Sequence, residues 1–517
     1  MTSLDVALAS SGTLATLKVA LALAGAALLG WSWALRRAGR EGEHARLRDR
    51  LLAGVAVLSA LAWWDFAPQH MLDRRHEWEF YHHFVGGKYF RELGYTRLYD
   101  CTLIADEEAG FEFPAAQRPV RRLATNRVEM AAGVVADPEA CKSHFTPERW
   151  EAFRADVGFF RERMTPRRWA TALTDHGFNA TPVWAIAGST LANTGPASET
   201  RLRALALIDP LLLALLWGAA CWGFGWRAAA VALIFWGTNE PARGIWIGNA
   251  YLRQDWLAAT GIGLALLRRG RMAAGGAALT VATLLRIFPG FLVAALALRA
   301  AVGCWQRRSL RLPTSQRRFA LGCLAALAIA LPLSAVVCGG FGAWRGFVEN
   351  SRKHLSSPLT NFAGLKTVAA FSPASTMLRV RDFSLPDPYS PWHEAQRATF
   401  ARREPWFWTA VAAYTVLLAV AVAREEEWAA PILGTGLVVI GAQIGAYYYS
   451  LLSVYGFLGP RREPAATGLL LLSAATWAIA SSTRAIDEAS MVQSLACVVY
   501  VLVVTALAAR RGAPTPP

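Results

Sequence analysis

The stretch Leu14–Leu35, LATLKVALALAGAALLGWSWAL, decides what kind of protein this chain forms. It is apolar apart from Lys18, and Arg36 and Arg37 follow it directly. The hydrocarbon core of a bilayer is about 30 Å thick, so a helix that crosses it needs roughly 20 mostly apolar residues. The stretch lacks the basic leading segment and the small-residue cleavage site of a signal peptide, so we expect a membrane-spanning helix.

The composition of the whole chain agrees with a membrane protein. Of its 517 residues, 54% are hydrophobic and only 17% are charged, whereas soluble domains carry about 25% charged residues. Lysine and arginine outnumber the acids by 53 to 37, a net charge of +16. Basic loops that orient spans in a bilayer explain this excess better than nucleic-acid binding does. We expect no nucleic-acid partner, and the totals exclude a secreted disulfide scaffold, a disordered chain and a typical soluble enzyme.

Apolar stretches recur along the chain and predict an all-α, polytopic membrane protein with about 12 or 13 transmembrane helices. After the first span they cover residues 51–64, 204–223, 227–241, 255–267, 272–288, 289–303, 319–338, 406–423, 428–446, 447–460, 466–482 and 490–509. The short loops between them are rich in arginine, and these loops all fit on the cytoplasmic side of alternating spans. Two long segments then face outward.

This pattern divides the chain into five parts. They are two transmembrane helices with a basic cytoplasmic linker (1–66), a large extracytoplasmic loop (67–203), transmembrane helices (204–338), a second extracytoplasmic loop (339–405) and C-terminal transmembrane helices (406–517). The large loop makes the fold distinctive, because it is long enough to contain helices of its own.

Local signals predict structure inside the large loop. Thr146-Pro147 and Thr165-Pro166 each place a capping threonine before a proline, which predicts two helix starts, and Gly177 is expected to end the second helix. The apolar segment around Pro182 is too short to span, so it favours a re-entrant piece. Cys101 and Cys141 lie in the same loop and can pair if it faces an oxidising compartment.

The densest polar cluster is DFAPQHMLDRRHEWEFYHHFVGGKYFRELGYTRLYD, residues 65–100. Acids at a membrane surface are costly without a partner or a task, so this segment indicates an active site. The alternative is an interfacial helix with an aromatic belt and solvated charges. The candidate catalytic residues are Glu77, Asp65, Asp73 and Glu79, and the candidate binding residues are Tyr81, His82, His83 and Lys88.

A divalent metal at this segment is a further alternative. Glu79 and His83, or Glu77 and Glu79, could contribute ligands, since hard cations prefer carboxylates. No third ligand follows at a characteristic spacing. The sequence therefore gives the metal little support.

Further polar residues lie at the outward ends of later spans and in the second loop. They are Arg243, Asn249, Arg253, Arg286 within LLRIFPG, Arg352, His354 and Asn361. Guanidinium groups suit bidentate contact with phosphate oxygens, which indicates an anionic lipid head as ligand. The alternatives are snorkelling of Arg286 to the headgroups and a simply solvated second loop.

In this order the segments resemble the polyprenyl-phosphate-sugar-dependent glycosyltransferases of the GT-C superfamily, particularly the bacterial branch similar to α-mannosyltransferases. The family's first outward loop commonly contains Asp-x-x-x-Tyr and later a leucine-tyrosine pair. Glu77 and Tyr81 match the first motif, with glutamate in place of aspartate, and Leu98–Tyr99 match the second.

Two later motifs carry the same resemblance. The family's Gly-Gln before a span is similar to Gly248–Asn249 here. Its basic residue plus proline is similar to Arg286 and Pro289, with arginine in place of the usual lysine. Each motif is short, and together they extend over most of residues 50–460.

The resemblance implies a GT-C-like fold and transfer of a sugar, with mannose among the candidates, from a polyprenyl-phosphate donor. The acceptor would be a lipid, glycan or protein at the extracytoplasmic face of the cytoplasmic (inner) membrane. Glu77 would act as general base. Arg286, with Arg243 or Arg253 and with Arg352 or His354, would stabilise the leaving phosphate. Displacement in line would invert the anomeric centre.

No cofactor is implied by this chemistry. The donor is a monophosphate and the sequence contains no DxD motif, so the reaction is expected to be metal-independent. The expected partners are the lipid-linked donor, the acceptor and membrane lipids. A transporter and a non-catalytic subunit of an envelope-assembly complex are the alternatives, although the duplicated halves of many transporters are not evident here.

Overall fold

The computed structural model describes residues 3–67, 75–459 and 462–510 and is mostly helical. Within this described part, six helices are long and apolar enough to cross a membrane: Gly12–Arg37, Glu199–Phe224, Thr314–Cys338, Ser390–Arg424, Glu463–Ser482 and Ile486–Arg510. These helices indicate a multi-pass membrane protein, as the sequence predicts. Several shorter apolar helices lie between them, so length alone does not settle the number of spans.

The N-terminal part consists of two long helices, α1 (Ser3–Arg37) and α2 (Ala45–Trp63). The elements that follow are short: α3 (Glu77–Phe80), a π-helical turn (Tyr81–Val85), α4 (Gly86–Lys88), α5 (Phe90–Leu93), α6 (Leu98–Glu108), a 3-10 turn (Ala115–Gln117), β1 (Pro119–Arg122), β2 (Arg127–Met130), α7 (Ala132–Val135), α8 (Glu139–Lys142), α9 (Pro147–Arg161), α10 (Pro166–Ala172), α11 (Pro182–Ala192) and α12 (Glu199–Ala206). β1 and β2 form an antiparallel hairpin with Val120 opposite Glu129.

The helices that follow this region are long, with one exception. They are α13 (Ile208–Phe224), α14 (Trp226–Thr238), the short α15 (Gly244–Ile247), α16 (Asp255–Arg268), α17 (Met272–Leu285), α18 (Gly290–Arg307) and α19 (Thr314–Cys338). The last part contains α20 (Gly342–Leu355), β3 (Phe362–Ala363), α21 (Leu365–Ala370), a 3-10 turn (Pro373–Ser375), α22 (Met377–Val380), α23 (Ser390–Arg424), α24 (Ala429–Gly441), β4 (Ile444–Gly445), a 3-10 helix (Ala446–Leu458), α25 (Glu463–Ser482) and α26 (Ile486–Arg510). β3 pairs with β4 in antiparallel register.

The arginine-rich loops gather at one end of the helix bundle, which we call the basic end. Side chains from helix termini join one another there. The contacts pair Arg36 with Glu463, Asp49 with Arg227, Trp222 with Arg269, Arg268 with Glu426, Gln316 with Glu427 and Arg424 with Ala509. The helices therefore run up and down with their basic termini together, the arrangement that the loop charges favour.

Residues 75–206 form a separate core at the other end of the bundle, and we call them the cap. The aromatic side chains Phe80, Tyr81, Phe84 and Tyr89 are fully buried in this core. The aromatic-belt alternative places such rings at the lipid interface, so it is wrong for these four. The cap core also takes in Cys338 at the end of α19, and it is thereby packed onto the bundle.

The helix starts in the cap agree with the sequence. The Thr146 hydroxyl accepts a hydrogen bond from the backbone N–H of Arg149, and Thr165 caps α10 in the same way. The expected end of α10 is wrong, because the helix ends at Ala172 rather than at Gly177. Gly177 instead has φ +66°, and the Leu123 side chain occupies the space of a Cβ. Close packing, not helix capping, requires glycine there.

Two other features of the cap follow from its packing. α11, around Pro182, is largely buried and forms part of the cap core through Trp184. Thr181 caps it by accepting a hydrogen bond from the Trp184 N–H. Cys101 and Cys141 form a disulfide with their Cα atoms 5.5 Å apart, which realises the pairing that the sequence left open.

Candidate functional site

Four separate segments bring polar side chains together where the cap meets the bundle. α3 and the π-helical turn contribute Glu79 and His83, the loop before α16 contributes Arg253, the turn after α17 contributes Arg286, and the start of the 3-10 helix contributes Tyr447. We call these five residues the Glu79 cluster. Because α16 and α17 both have their other termini at the basic end, the cluster lies at the opposite end of the bundle.

Arg253 joins the bundle to the cap. Its Nη1 donates to Oε2 of Glu79 at 2.5 Å, and its guanidinium lies 4.8 Å from the ring centroid of Tyr447. Asp209 anchors the loop that carries Arg253, because the backbone N–H groups of Arg253 and Gln254 both donate to its carboxylate. The position of the guanidinium is therefore fixed by backbone anchoring as well as by its ion pair.

Glu79 and His83 form a carboxylate–imidazole pair. Nδ1 of His83 lies 3.3 Å from Oε2 of Glu79 and 3.1 Å from its backbone oxygen. Both neighbours are acceptors, so Nδ1 carries the hydrogen and Nε2 is an acceptor. In the described part of the chain Nε2 has no hydrogen-bond partner, although it is buried.

The protonation states follow from the surroundings. Burial lowers the pKa of His83, and the nearby Glu79 only partly opposes this effect, so the imidazole is neutral at neutral pH. Burial disfavours the charged form of Glu79, but Arg253 and His83 outweigh it and hold the pKa of the carboxyl well below its usual range. An ionised carboxylate therefore orients a neutral imidazole whose Nε2 is unused.

Arg286 supplies a second guanidinium with spare donors. It is buried, and its Nη1 donates only to the backbone oxygen of Leu285 at 2.9 Å. Among residues 3–67, 75–459 and 462–510 it has no carboxylate within ion-pair distance, and its Nε has no partner. Its charge reaches His83, whose pKa it helps to lower. A buried guanidinium with free N–H groups is suited to an oxyanion.

Glu77 has different neighbours from Glu79. Its Oε1 pairs with Nε of Arg75 at 3.2 Å, and Arg75 also binds Glu199 at the start of α12. Burial raises the pKa of Glu77, and Arg75 opposes this effect. The two acids thus belong to different ion-pair groups, and Glu79 is the one that meets residues from the bundle.

The other two candidate acids are not part of the cluster. Asp65 lies after α2 and pairs with Lys18 of α1 at 3.1 Å. Asp73 lies outside the described residues.

Three of the candidate binding residues make their hydrogen bonds inside the cap. The Tyr81 hydroxyl is 2.8 Å from the hydroxyl of Thr102, and Nε2 of His82 is 2.6 Å from the hydroxyl of Tyr99. The Lys88 ammonium donates to Asp156 at 2.7 Å. These side chains are buried and satisfied within the cap, and none of the contacts points to the Glu79 cluster.

The remaining candidates are distributed around the same end of the bundle. Arg243 pairs with Glu240 at 3.2 Å, and the exposed Arg352 lies on α20. The imidazole of His354 accepts from the amide of Asn350. Asn249 and Asn361 contribute backbone oxygens, which accept from the N–H groups of His76 and Ala446 respectively.

Tyr447 and Asp209 are not among the site residues predicted from the sequence. Tyr447 belongs to the run of three tyrosines 447–449, which lies between two apolar stretches. Asp209 is an acid at the start of an apolar helix. Both signals were present, since polar groups at such positions need a partner or a task. Only the fold shows that both support Arg253.

The cluster does not resemble a metal centre. No group of three or more His, Cys, Asp or Glu side chains that could hold a metal ion occurs in the described ranges. Arg253 and His83 both contact Oε2 of Glu79. Positive charge at this site comes from guanidinium groups.

Comparisons with protein-family models, with curated proteins and with solved structures gave no match to this chain. The GT-C resemblance, which rests on short motifs, therefore stays a prediction. A function for the chain has to rest on the Glu79 cluster and on the membrane topology around it.

Proposed function

We propose that the protein is a multi-pass membrane glycosyltransferase of the GT-C type, which transfers a hexose from a polyprenyl phosphate to an acceptor hydroxyl. The observation that carries the proposal is the meeting of the Glu79–His83 pair with Arg253 and Arg286 at the cap end of the bundle. A proton acceptor beside two guanidinium groups suits a reaction in which a hydroxyl attacks and a phosphate leaves.

His83 is the proposed general base. Its neutral Nε2 takes the proton of the acceptor hydroxyl while the hydroxyl oxygen bonds to the anomeric carbon. Glu79 holds the ring through Nδ1 and stabilises the imidazolium that forms, as a carboxylate does in other carboxylate–histidine pairs. This assignment replaces Glu77, which contacts Arg75 rather than the bundle.

Arg286 and Arg253 are proposed to receive the leaving group. As the bond from the anomeric carbon to the phosphate oxygen breaks, the electron pair stays on the polyprenyl phosphate. The free N–H groups of Arg286 stabilise that charge, and Arg253 adds to the positive potential. Attack opposite the leaving oxygen inverts the anomeric centre.

The proposal includes a topology of about 12 or 13 spans. Helices that are too short to cross the bilayer alone do so together with non-helical segments at their ends, which are buried in protein. The arginine-rich basic end faces the cytoplasm of a cell with a cytoplasmic (inner) membrane. The cap and the Glu79 cluster then lie on the extracytoplasmic side. The disulfide between Cys101 and Cys141 supports this side, since disulfides persist in oxidising compartments.

The test is turnover by the purified protein in lipid nanodiscs. Polyprenyl-phosphate mannose and polyprenyl-phosphate glucose are supplied with membrane glycolipid extract, and release of polyprenyl phosphate is measured. We expect His83→Gln and Glu79→Gln to reduce the rate about 100-fold or more. The exposed His144→Gln is the matched control for the histidine and should keep the full rate.

Glu77→Gln separates the two base assignments. Its rate should remain within a few-fold of the parent protein, because the ion-pair partner of Glu77 among the described residues is Arg75 of the cap. Loss of turnover in this variant, with normal turnover in Glu79→Gln and His83→Gln, would return the base to Glu77. No release of polyprenyl phosphate from any donor by the parent protein would contradict the enzyme proposal itself.

A further inference from the structure

A polar cleft of about 610 Å³ lies between the cap and the residues around α20 and α23, and no member of the Glu79 cluster lines it. Its walls come from the β1–β2 hairpin, the segment after α10, the end of α20, and the beginning of α23 with the residues just before it. Of the described residues that line it, only Val128 is apolar. A cleft with so little apolar surface is unsuited to a lipid chain and suited to a hydroxyl-rich or charged ligand.

Cations exceed acids in this cleft. Arg121, Arg127, Lys353 and Arg397 line it, against Asp387 and Glu394. Arg127 and Arg397 are exposed, so their guanidinium groups are accessible to a ligand. The excess favours an anion.

The two inner cations are held by carbonyl oxygens. Arg121 is buried, and its Nε and Nη1 donate to the backbone oxygens of Thr174 and Asn126 at 2.9 Å. The Lys353 ammonium donates to the backbone oxygen of Leu123 at 2.6 Å. Within the described ranges neither has a carboxylate within ion-pair distance. Burial lowers the pKa of both groups, and the nearby acids Asp387 and Glu349 oppose this effect only in part.

The inner wall provides neutral groups that pair with hydroxyls. Nδ1 of His176 lies 3.1 Å from Oδ1 of Asn126, whose amide donates to Ser357. His393 lines the cleft as well, and the ring of His354 packs against that of His176 with their centroids 5.2 Å apart. Burial lowers the pKa of His176 to about 3 and that of His354 to about 4, so both rings are neutral. Neutral imidazoles both donate and accept, as sugar hydroxyls require.

The cleft is connected to the Glu79 cluster through a short polar path. Asp175 precedes His176, and it accepts a hydrogen bond from Nε1 of Trp78 at 2.6 Å. Trp78 directly precedes Glu79, and the charge of Glu79 is close enough to oppose the lowering of the Asp175 pKa. The cleft wall and the Glu79 cluster are therefore linked through Asp175 and Trp78.

We propose that the polar cleft binds an anionic saccharide, in which a carboxylate or phosphate group contacts Lys353, Arg121 and Arg397 and the hydroxyls contact the imidazole wall. That this saccharide is the acceptor rests on the proposed function. The binding itself does not, because the cleft residues are distinct from the Glu79 cluster.

Binding to the full chain in lipid nanodiscs tests the proposal. Calorimetry with mannose 6-phosphate, glucuronic acid, mannose and inorganic phosphate compares anionic sugars with each component alone. We expect both anionic sugars to bind, and mannose and inorganic phosphate to bind about tenfold or more weakly. Equal binding of inorganic phosphate and mannose 6-phosphate would overturn the saccharide site, and so would absence of binding by both anionic sugars.

Variants locate the site. Arg397→Gln alters an exposed side chain, so it should fold normally, and Lys353→Met removes the inner ammonium. Each should weaken binding of both anionic sugars about tenfold. Arg345→Gln, an exposed arginine on the same helix α20 as Lys353, is the matched control and should bind normally. Unchanged binding in Arg397→Gln and Lys353→Met would contradict the assignment.

The two proposals fail in different ways. His83→Gln should bind anionic sugars normally while losing turnover. Binding by a parent protein that consumes no lipid-linked donor would preserve the cleft and contradict the enzyme. Turnover whose acceptor KM is unchanged in Arg397→Gln and Lys353→Met would preserve the enzyme and contradict the cleft as its acceptor site.

Discussion

Arg286 is the single side chain on which the proposed handling of phosphate depends most. Replacing it with glutamine removes a buried cation whose Nε has no hydrogen-bond partner among the residues that the structure describes. We expect Arg286→Gln to lower kcat about 100-fold or more and Arg286→Lys to lower it less, because lysine restores the charge but not the bidentate geometry. The measurement is polyprenyl-phosphate release at saturating donor. Arg286→Gln with the parent kcat would exclude Arg286 from leaving-group stabilisation.

Residue identity alone did not distinguish the acids at 65–79, because all are carboxylates in one polar stretch. Their neighbours distinguish them. Asp65 meets Lys18, Glu77 meets Arg75, and Glu79 meets His83 and Arg253. Glu79 and His83 are four positions apart, a spacing that brings two side chains together on one helical face. The partner Arg253, 174 positions away, could only come from the fold.

At the scale of elements, the loop between α15 and α16 is anchored by one carboxylate of α13. Asp209 accepts hydrogen bonds from two consecutive backbone N–H groups, those of Arg253 and Gln254. Asn249 and Leu252 have positive φ values of 56° and 52°, so the loop has no regular structure of its own. Side-chain anchoring replaces secondary structure in positioning Arg253.

Asp209→Ala should therefore release this loop. Two buried N–H groups lose their acceptor, which costs about 1–3 kcal/mol each in stability, and Arg253 loses its fixed position. We expect a lower melting temperature and kcat reduced about tenfold or more. Asp209→Asn keeps an acceptor oxygen and should recover part of both. Thermal unfolding and turnover are measured on the same preparations, and a normal kcat in Asp209→Ala would show that the loop does not need this anchor.

At the scale of the whole molecule, the arginine distribution sets the proposed orientation. Single cysteines introduced at Glu112 in the cap and at Arg271 at the basic end report opposite sides of the membrane. We expect a membrane-impermeant maleimide to label Glu112→Cys in intact cells and Arg271→Cys only after permeabilisation. The parent protein, with its exposed Cys221, gives the background. The reverse labelling pattern would place the Glu79 cluster in the cytoplasm.

Buried imidazoles make the stability of the cap region sensitive to acid. The pKa of His176 is lowered to about 3 and that of His354 to about 4, from an ordinary value of 6.5. Below pH 6.5 the unfolded chain binds protons that these folded imidazoles exclude, so stability falls as the pH decreases from 6.5 toward 3.

The acid effect can be measured as the apparent melting temperature between pH 7.5 and 4.5. We expect a progressive decrease of several degrees in the parent protein. His176→Asn together with His354→Asn removes both proton acceptors, so its melting temperature should decrease less over the same pH interval. An equal decrease in the parent and in the double variant would assign acid sensitivity to other groups.

The sequence by itself determined the membrane character, the helical class and the gathering of basic loops. Apolar stretches and arginine positions are local properties of the chain, and a bilayer acts on them directly. The threonine caps of α9 and α10 were predictable for the same reason. The concentration of polar side chains in residues 65–100 is also visible in the sequence. The burial of the aromatic rings of that segment in a separate core is not.

Only the tertiary structure decided which of these polar residues meet. The Glu79 cluster takes its members from four segments, and so does the polar cleft. Contacts between segments so far apart in the chain produce no periodic pattern in the sequence. The surroundings of each side chain depend on residues that come close only when the chain folds. The pairing of Glu79 with Arg253 belongs to that level, and so do the Nε of Arg286 and the Nε2 of His83, which have no partner in the described part of the chain.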